Sequence, residues 1–247
     1  MGYFTVTVEP TMVASLQHTA AFNAQDVLFD WTSFDIPKGA HKLVDVVVVA
    51  RGTDGAYQEK DTVLYFAKSK DSGATAPSSI GTVNATADGV GYFDHVIGAV
   101  QVMTGDFKQG LDSLSVATLG HGASANHIPN TVLQGEPESG TNVGYDKLYI
   151  ACTSGTWDFR SGMQVNEATF DAGAQTTITV DGVDATLAFA PGDVIHAHDD
   201  AVLGTVSSIT NATTIVLTAA NTAAIANNDY LYNINPIKLI LCFDDGN

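Results

Sequence analysis

Positive charge is scarce in this 247-residue chain. Ten lysines and arginines stand against 27 acidic residues, a formal net charge of −17. Only Arg51 and Arg160 are arginines. A protein that grips a phosphate backbone needs a basic face, so nucleic-acid binding is disfavoured, and so is binding to anionic membranes. Long apolar runs are missing too: the longest aliphatic one, Val46 to Ala50, is far too short to cross a bilayer. Met1-Gly2-Tyr3-Phe4-Thr5-Val6 has neither a basic region nor a long apolar core, so it does not read as a secretory signal. Val6 breaks the myristoylation pattern after Gly2. The expectation is a soluble protein made in a cytoplasm. Cysteine is limited to Cys152 and Cys242. They hold matching places in two similar segments and could be sheet neighbours, but cytosolic folding favours free buried thiols over a disulfide.

Catalytic signatures are also missing. There is no Gly-x-Ser-x-Gly elbow and no phosphate loop. Gly89-Val90-Gly91 and Gly120-His121-Gly122 lack the strand–turn–helix setting of a dinucleotide site. Paired carboxylates for glycoside hydrolysis must lie about 5 to 10 Å apart in a cleft, and 27 acids make some such pair inevitable. No spacing matches an EF-hand, although Asp71-Ser72-Gly73 or the acidic tail could take a structural cation.

What is present is the composition of an all-β protein: 45% hydrophobic residues, with 23 glycines and many Thr, Asn, Asp and Ser between short apolar runs. Tyr3 to Val8 alternates like a half-buried strand. Thr11 to Phe22 is ambiguous between helix and bent strand. Val27 to Ile36 reads as one strand or two split by a bulge. Leu43 to Ala50 is continuous rather than alternating, which predicts a central strand covered on both faces. Further strands are expected at Thr62 to Ala67, Tyr92 to Met103 and Leu111 to Leu119. Segments 68–91 and 120–144 read as long loops, and loops of that length tend to be mobile or to make contacts.

Two segments bracket residues 165–235. Lys147-Leu148-Tyr149-Ile150-Ala151-Cys152 precedes them and Lys238-Leu239-Ile240-Leu241-Cys242-Phe243 follows. Each is a Lys-Leu step and an apolar run ending at or beside a cysteine. This predicts a small module inserted into a larger domain, with the chain returning to complete the parent sheet. Trp157-Asp158-Phe159 is expected to pack on the edge of the first bracket. Inside the module, strands are expected at Thr176 to Val180, Val194 to His196, Val202 to Ile209, Thr213 to Thr218 and Tyr230 to Tyr232. Asp181-Gly182 and Ala190-Pro191-Gly192-Asp193 supply turns, and Ala219 to Asn228 could form a helical turn. The fold class expected is all-β: a jelly-roll-like β-sandwich formed by 1–164 plus 236–247, carrying a small β-barrel or sandwich at 165–235.

Pro191-Gly192-Asp193-Val194-Ile195, Gly204 to Thr210, Thr213 to Thr218 and Asn228-Asp229-Tyr230-Leu231-Tyr232 together resemble small β modules of tailed-bacteriophage structural proteins. The resemblance covers about a quarter of the chain and rests on turn and strand residues. It implies a non-enzymatic virion component, most specifically a capsid decoration (cement) protein on the outside of the head. Such proteins are often β-rich trimers, so a homotrimer contacting the major capsid protein or another virion protein is expected, with 68–91 and 120–144 as contact regions. The alternative is a receptor-binding or fibre-associated virion protein that holds surface glycans through aromatics such as Tyr57, Tyr92, Tyr145 or Trp157. An enzyme such as a depolymerase is a third class.

His196-Ala197-His198-Asp199-Asp200 is the one metal-like cluster in the sequence. Histidines two apart on a strand share a face. Two metal patterns fail here: the hydrolase pattern His-x-His-x-Asp-His meets Ala201, and the cupin glutamate position holds Val202. A solvated turn before Gly204 is the expectation. No catalytic, cofactor-binding or metal residue is assigned.

Overall fold

The computed structural model describes residues 2–69, 76–92, 94–120, 129–136 and 145–245. Strands dominate, and helix among these residues is confined to α1 (Ala14–Thr19), α2 (Ala185–Ala188) and single 3-10 turns. The first sheet runs in the order β1 (Tyr3–Val8), β16 (Ile237–Asp244), β3 (Ala40–Arg51), β7 (Leu114–Leu119), β6 (Phe107–Leu111), with β8 (Thr131–Gln134) also paired to β3. The second runs β2 (Val27–Pro37), β9 (Tyr145–Ser154), β4 (Thr62–Ala67), β5 (Val96–Val102). Leaving out the short β6 and β8, the two sheets share eight strands. In chain order, one sheet takes the first, eighth, third and sixth, and the other the second, seventh, fourth and fifth. That is the jelly-roll order, in which a long antiparallel ribbon is rolled into two facing sheets.

Burial follows the pleat. Ile237, Leu239, Leu241 and Phe243 point inward from β16, while Lys238, Ile240 and Cys242 alternate outward. Their inward partners on β3 are Ala50, Val48, Val46 and Leu43. Leu64 and Phe66 of β4 and Leu148, Ile150 and Cys152 of β9 face them from the second sheet in one core. Trp157 is fully buried there, stacked on Phe159 at 5.3 Å and met edge-on by Phe107 at 5.8 Å. It is a core residue rather than packing for a strand edge.

β3 is central as expected, between β16 and β7. Its two faces differ, however. A register shift between Cys242 and Phe243 of the partner strand lies opposite Val44. Beyond it, Val47 and Val49 stand outward beside Ile240 and Val116, and all four are only partly buried. A run of valines has no period, so it reports strand propensity without showing which face is covered.

Between β9 and β16 the chain builds a third sheet, ordered β10 (Gln164–Val165), β11 (Thr177–Asp181), β14 (Thr214–Leu217), β13 (Val202–Asn211), β12 (Val194–Ala197), β15 (Leu231–Asn233). It has its own core, with Ile178, Val180, Ile195, Leu203, Val206, Ile215 and Leu231 buried together. The sheet curls until Gln164 bridges Tyr230 near its other end, but it does not close into a barrel. Gly182 makes the turn after β11 with a positive φ of 83°, and Asp184 caps α2 through the Thr186 N–H at 2.9 Å. Ala219 to Asn228 forms no helix.

Cys152 and Cys242 lie in different sheets, on β9 and β16, and both are free. The bracketing strands therefore are not neighbours. The chain leaves from one sheet and returns to the other. Burial pushes the Cys152 thiol up to about 12, against the opposing effect of the Thr62 hydroxyl at 2.7 Å.

Candidate functional site

The histidine cluster does not converge. β12 ends at Ala197, and the chain turns through residues 198–200 with Asp200 at a positive φ of 72°. That turn breaks the two-residue alternation that would have put His196 and His198 on one face. His196 is nearly buried, and its Nδ1 lies 3.2 Å from the Asp200 carbonyl oxygen. Asp199 accepts the Ala201 N–H at 3.1 Å. His198 swings toward Asp229, at 3.8 Å. Among the described residues no group of three or more His, Cys, Asp or Glu side chains is placed to hold a metal ion.

The cluster instead fastens the third sheet to the jelly-roll body, so it is not a plain solvated turn. α1 has Val13 at its N-cap, which offers no side-chain acceptor. Asp200 supplies one from the third sheet: its carboxylate accepts the Ser15 N–H at 2.9 Å and the Ser15 hydroxyl at 2.6 Å. Gln17, fully buried, donates from Nε2 to the carbonyls of Met12 (2.6 Å) and Asn233 (3.1 Å). Arg51 pairs with Asp193 across the same seam.

One turn along α1, His18 enters a hollow of about 430 Å³ with Arg160, Asp158, Asp54, Tyr230 and Tyr232. His18 Nδ1 is 2.7 Å from the Tyr232 hydroxyl, and its ring lies 5.2 Å from that of His198. Burial, and then the nearby His198, lower the His18 pKa. The His18 tautomer sets which of the two groups donates in the bond with Tyr232. Burial holds Tyr232 up at about 12, so it stays protonated at neutral pH. Arg160 forks onto Asp158 at 2.9 and 2.6 Å, and these bonds hold the Asp158 carboxyl below its usual range. Arg160 is paired with Asp158 and His18 with Tyr232, which suits a fastening more than a reacting centre.

A second feature lies on the outer face of the second sheet. Residues 76–91, part of the segment that reads as a long loop, lie back across that face together with Tyr92, which ends a 3-10 turn and does not begin the strand expected there. Val27 donates to the Ala85 carbonyl at 2.8 Å, Asn84 to Val27 at 2.9 Å, and Ala87 to Gln25 at 3.1 Å. Ile80 and Tyr92 are buried against Val27 and Ala151. Between Phe29 and Thr32 the β2–β9 register shifts. The bulge places Asp30 and Trp31 opposite Ala151, on the outer face. Asp30 then accepts the Ile80 N–H at 3.0 Å, and Trp31 meets Tyr92 at 5.9 Å. A cavity of about 270 Å³ remains, lined by Trp31, Tyr65, Tyr92, Gln25, Asp88 and Thr153 among others.

Of the aromatics singled out from sequence, Tyr92 is in this cavity and Trp157 is in the core. Tyr57 is 36% exposed and lines no pocket described above. The Tyr145 side chain lies outside the described residues. Trp31 and Tyr65 sit in stretches that read as ordinary strand, and only the bulge and the strand register reveal their outward direction. Of the 120–144 segment, 121–128 and 137–144 lie outside the described residues, as do Asp71-Ser72-Gly73 and the end of the acidic tail. Residues 131–134 form β8, which the loop reading missed.

No family model matches the chain, and no curated protein matches it. Among solved structures, a chain in a structure of infectious bursal disease virus, Gx strain, is similar at 9% identity and a TM-score of 0.16, covering 98% of this chain and 42% of that one. A chain in the atomic structure of Sulfolobus Turreted Icosahedral Virus is similar at 10% identity and a TM-score of 0.13, covering 98% of this chain and 91% of that one. This chain thus spans less than half the length of the first. At these TM-scores neither likeness bears on function.

Proposed function

We propose that this protein is a non-enzymatic virion structural protein, and more specifically a decoration protein on the outside of a tailed-phage head. The observation that carries this role is the build of the molecule: a jelly-roll body with a second curled sheet inserted between its last two strands and clamped at the seam by Asp200, Gln17 and Arg51. Such a body is rigid and offers broad faces for contact. The net charge of −17 suits an outer surface better than one facing DNA. The turn and strand residues of the third sheet resemble phage structural modules. No described helix is long and apolar enough to cross a membrane.

The proposed partners are the major capsid protein or another virion protein, and copies of this chain in a trimer. Segments 68–91 and 120–144 are the proposed contact regions. Three copies would triple the acidic charge, so apolar contacts, at about 25 cal/mol per Å² buried, must offset repulsion that is least screened at low salt. Self-association should therefore weaken as salt is removed, and a sedimentation series in which the assembly is unchanged between low and physiological salt would contradict that charge balance. The role itself is tested by banding particles from the source in a density gradient. The protein should band with DNA-filled heads and wash off without releasing DNA. Its presence only in the soluble fraction would refute the role.

A further inference from the structure

We propose that the cavity beneath residues 76–92 is a binding site for one neutral pyranose ring, free or at the end of a glycan chain. The inference does not depend on the virion role. Three observations carry it.

The first is composition. Trp31, Tyr65 and Tyr92 bring three aromatic side chains to one small cavity, and Asp88, Gln25 and Thr153 bring hydrogen-bonding groups. A pyranose has the matching duality: an apolar face of C–H bonds and a rim of hydroxyls. Aromatic rings cover the first, and a carboxylate accepts from neighbouring hydroxyls. One Asp88 oxygen takes the Gly89 N–H at 2.7 Å. That bond orients the carboxylate while its other oxygen can still accept. The Trp31 indole N–H has no partner among the described residues.

The second is size. At about 270 Å³ the cavity sits just below the range of roughly 300–1,000 Å³ usual for small-molecule sites. It suits a single ring better than an extended oligosaccharide.

The third is preorganisation. The rim is tied to the sheet by backbone bonds between Val27 and Ala85, Val27 and Asn84, Gln25 and Ala87, and Ile80 and Asp88. Asp30 holds the Ile80 N–H, and the Tyr92 hydroxyl donates to the Ser79 carbonyl. A fixed rim lowers the ordering cost of binding a small polar ligand. Asp88 and the overall charge of −17 select against uronic and sialic acids.

The two tryptophans make the test direct. Trp157 is fully buried in the core, whereas Trp31 lines the cavity. Methyl glycosides of glucose, galactose, mannose and N-acetylglucosamine are titrated into the full-length protein while tryptophan emission is followed. At least one should shift the emission saturably, with a dissociation constant of about 1 to 10 mM. Saturation-transfer NMR on the same sugar should then show at least tenfold weaker binding for Asp88→Ala and for Trp31→Phe. Asp88 is exposed, so its variant keeps the wild-type melting temperature if Trp31→Phe does not. Methyl glucuronide should bind at least tenfold more weakly than the best neutral sugar. The matching disaccharide separates sources: equal affinity means the ring alone is read, and a gain means a chain end. No saturable response to any neutral sugar at 50 mM would overturn the proposal. Binding unchanged in both variants would overturn it too, by placing the sugar elsewhere, and so would glucuronide binding as tight as the neutral sugars.

Discussion

Asp200 is the strongest single test of how the third sheet is held. Its carboxylate makes two bonds to Ser15, at 2.9 and 2.6 Å, and neither donor has another acceptor described. Hydrogen bonds to a charged group contribute roughly 1.5–3 kcal/mol each. The seam is only partly buried, so about 1 kcal/mol each is the more realistic figure. Asp200 also has φ at 72°, where alanine costs about 1–2 kcal/mol. Asp200→Ala should therefore lose about 3–4 kcal/mol. Asp200→Gly tolerates the backbone but loses the bonds, and glycine's extra freedom when unfolded costs about 0.5–1 kcal/mol, so about 2.5–3 kcal/mol is expected. Asp200→Asn tolerates the same φ and keeps one accepting oxygen, while its amide group can donate to the Ser15 hydroxyl. It should lose less than about 1 kcal/mol. For a chain of this length each kcal/mol moves the melting temperature by about 2–4 °C if unfolding is one cooperative transition. Calorimetry should then order the variants Asn, Gly, Ala, with the alanine variant lower by about 6 to 16 °C. Hydrogen exchange should quicken first in residues 12–20. An alanine variant within 1 °C of wild type would refute the clamp. An asparagine variant as damaged as the alanine one would show that the loss is not one of hydrogen-bond acceptance.

Three further outcomes are expected. Because the folded-state pKa of His18 is depressed, the unfolded chain takes the proton first. Its contribution is full above the unfolded value near 6.5 and falls as pH drops through that value toward the folded one; melting temperatures at pH 5 and 7.5 should converge more closely in His18→Gln than in wild type, and an identical difference would contradict the assignment. Cys152, with its thiol held up at about 12 and fully buried, should resist iodoacetamide at pH 8 until denaturant is added. Cys242 should label slowly in the native protein, and mass spectrometry finding both labelled at once would overturn the placement of Cys152 in the core. Trp157→Ala should cost about 3–5 kcal/mol, because it empties a site packed by Phe159 and Phe107, and a loss below about 1 kcal/mol by urea unfolding would refute that packing.

Much of the body was readable from pattern. Tyr3 to Val8 alternates and Lys238 to Phe243 is a short apolar run, and both are strands; that they pair with each other as the two ends of the jelly roll is visible only in the fold. The two Lys-Leu segments marked β9 and β16, and so marked where the inserted sheet begins and ends. Periodicity describes one strand at a time, however, and carries no information about which sheet that strand joins. This is why Cys152 and Cys242 looked like neighbours. For the same reason Val47 and Val49 looked covered. The His196–His198 pairing failed because it needed the strand to continue past Ala197, and Asp200 bends the chain there. The aromatic cavity was hidden by composition. Ile80, Val83, Ala87 and Tyr92 are scattered through a Gly- and Ser-rich segment, and their common target becomes visible only when the segment lies across β2 and β9.

Immunogold labelling of native particles from the source tests the central proposal most directly. Regular labelling over intact heads is expected. Labelling confined to tails or fibres would contradict decoration, and particles without label would contradict a virion role altogether.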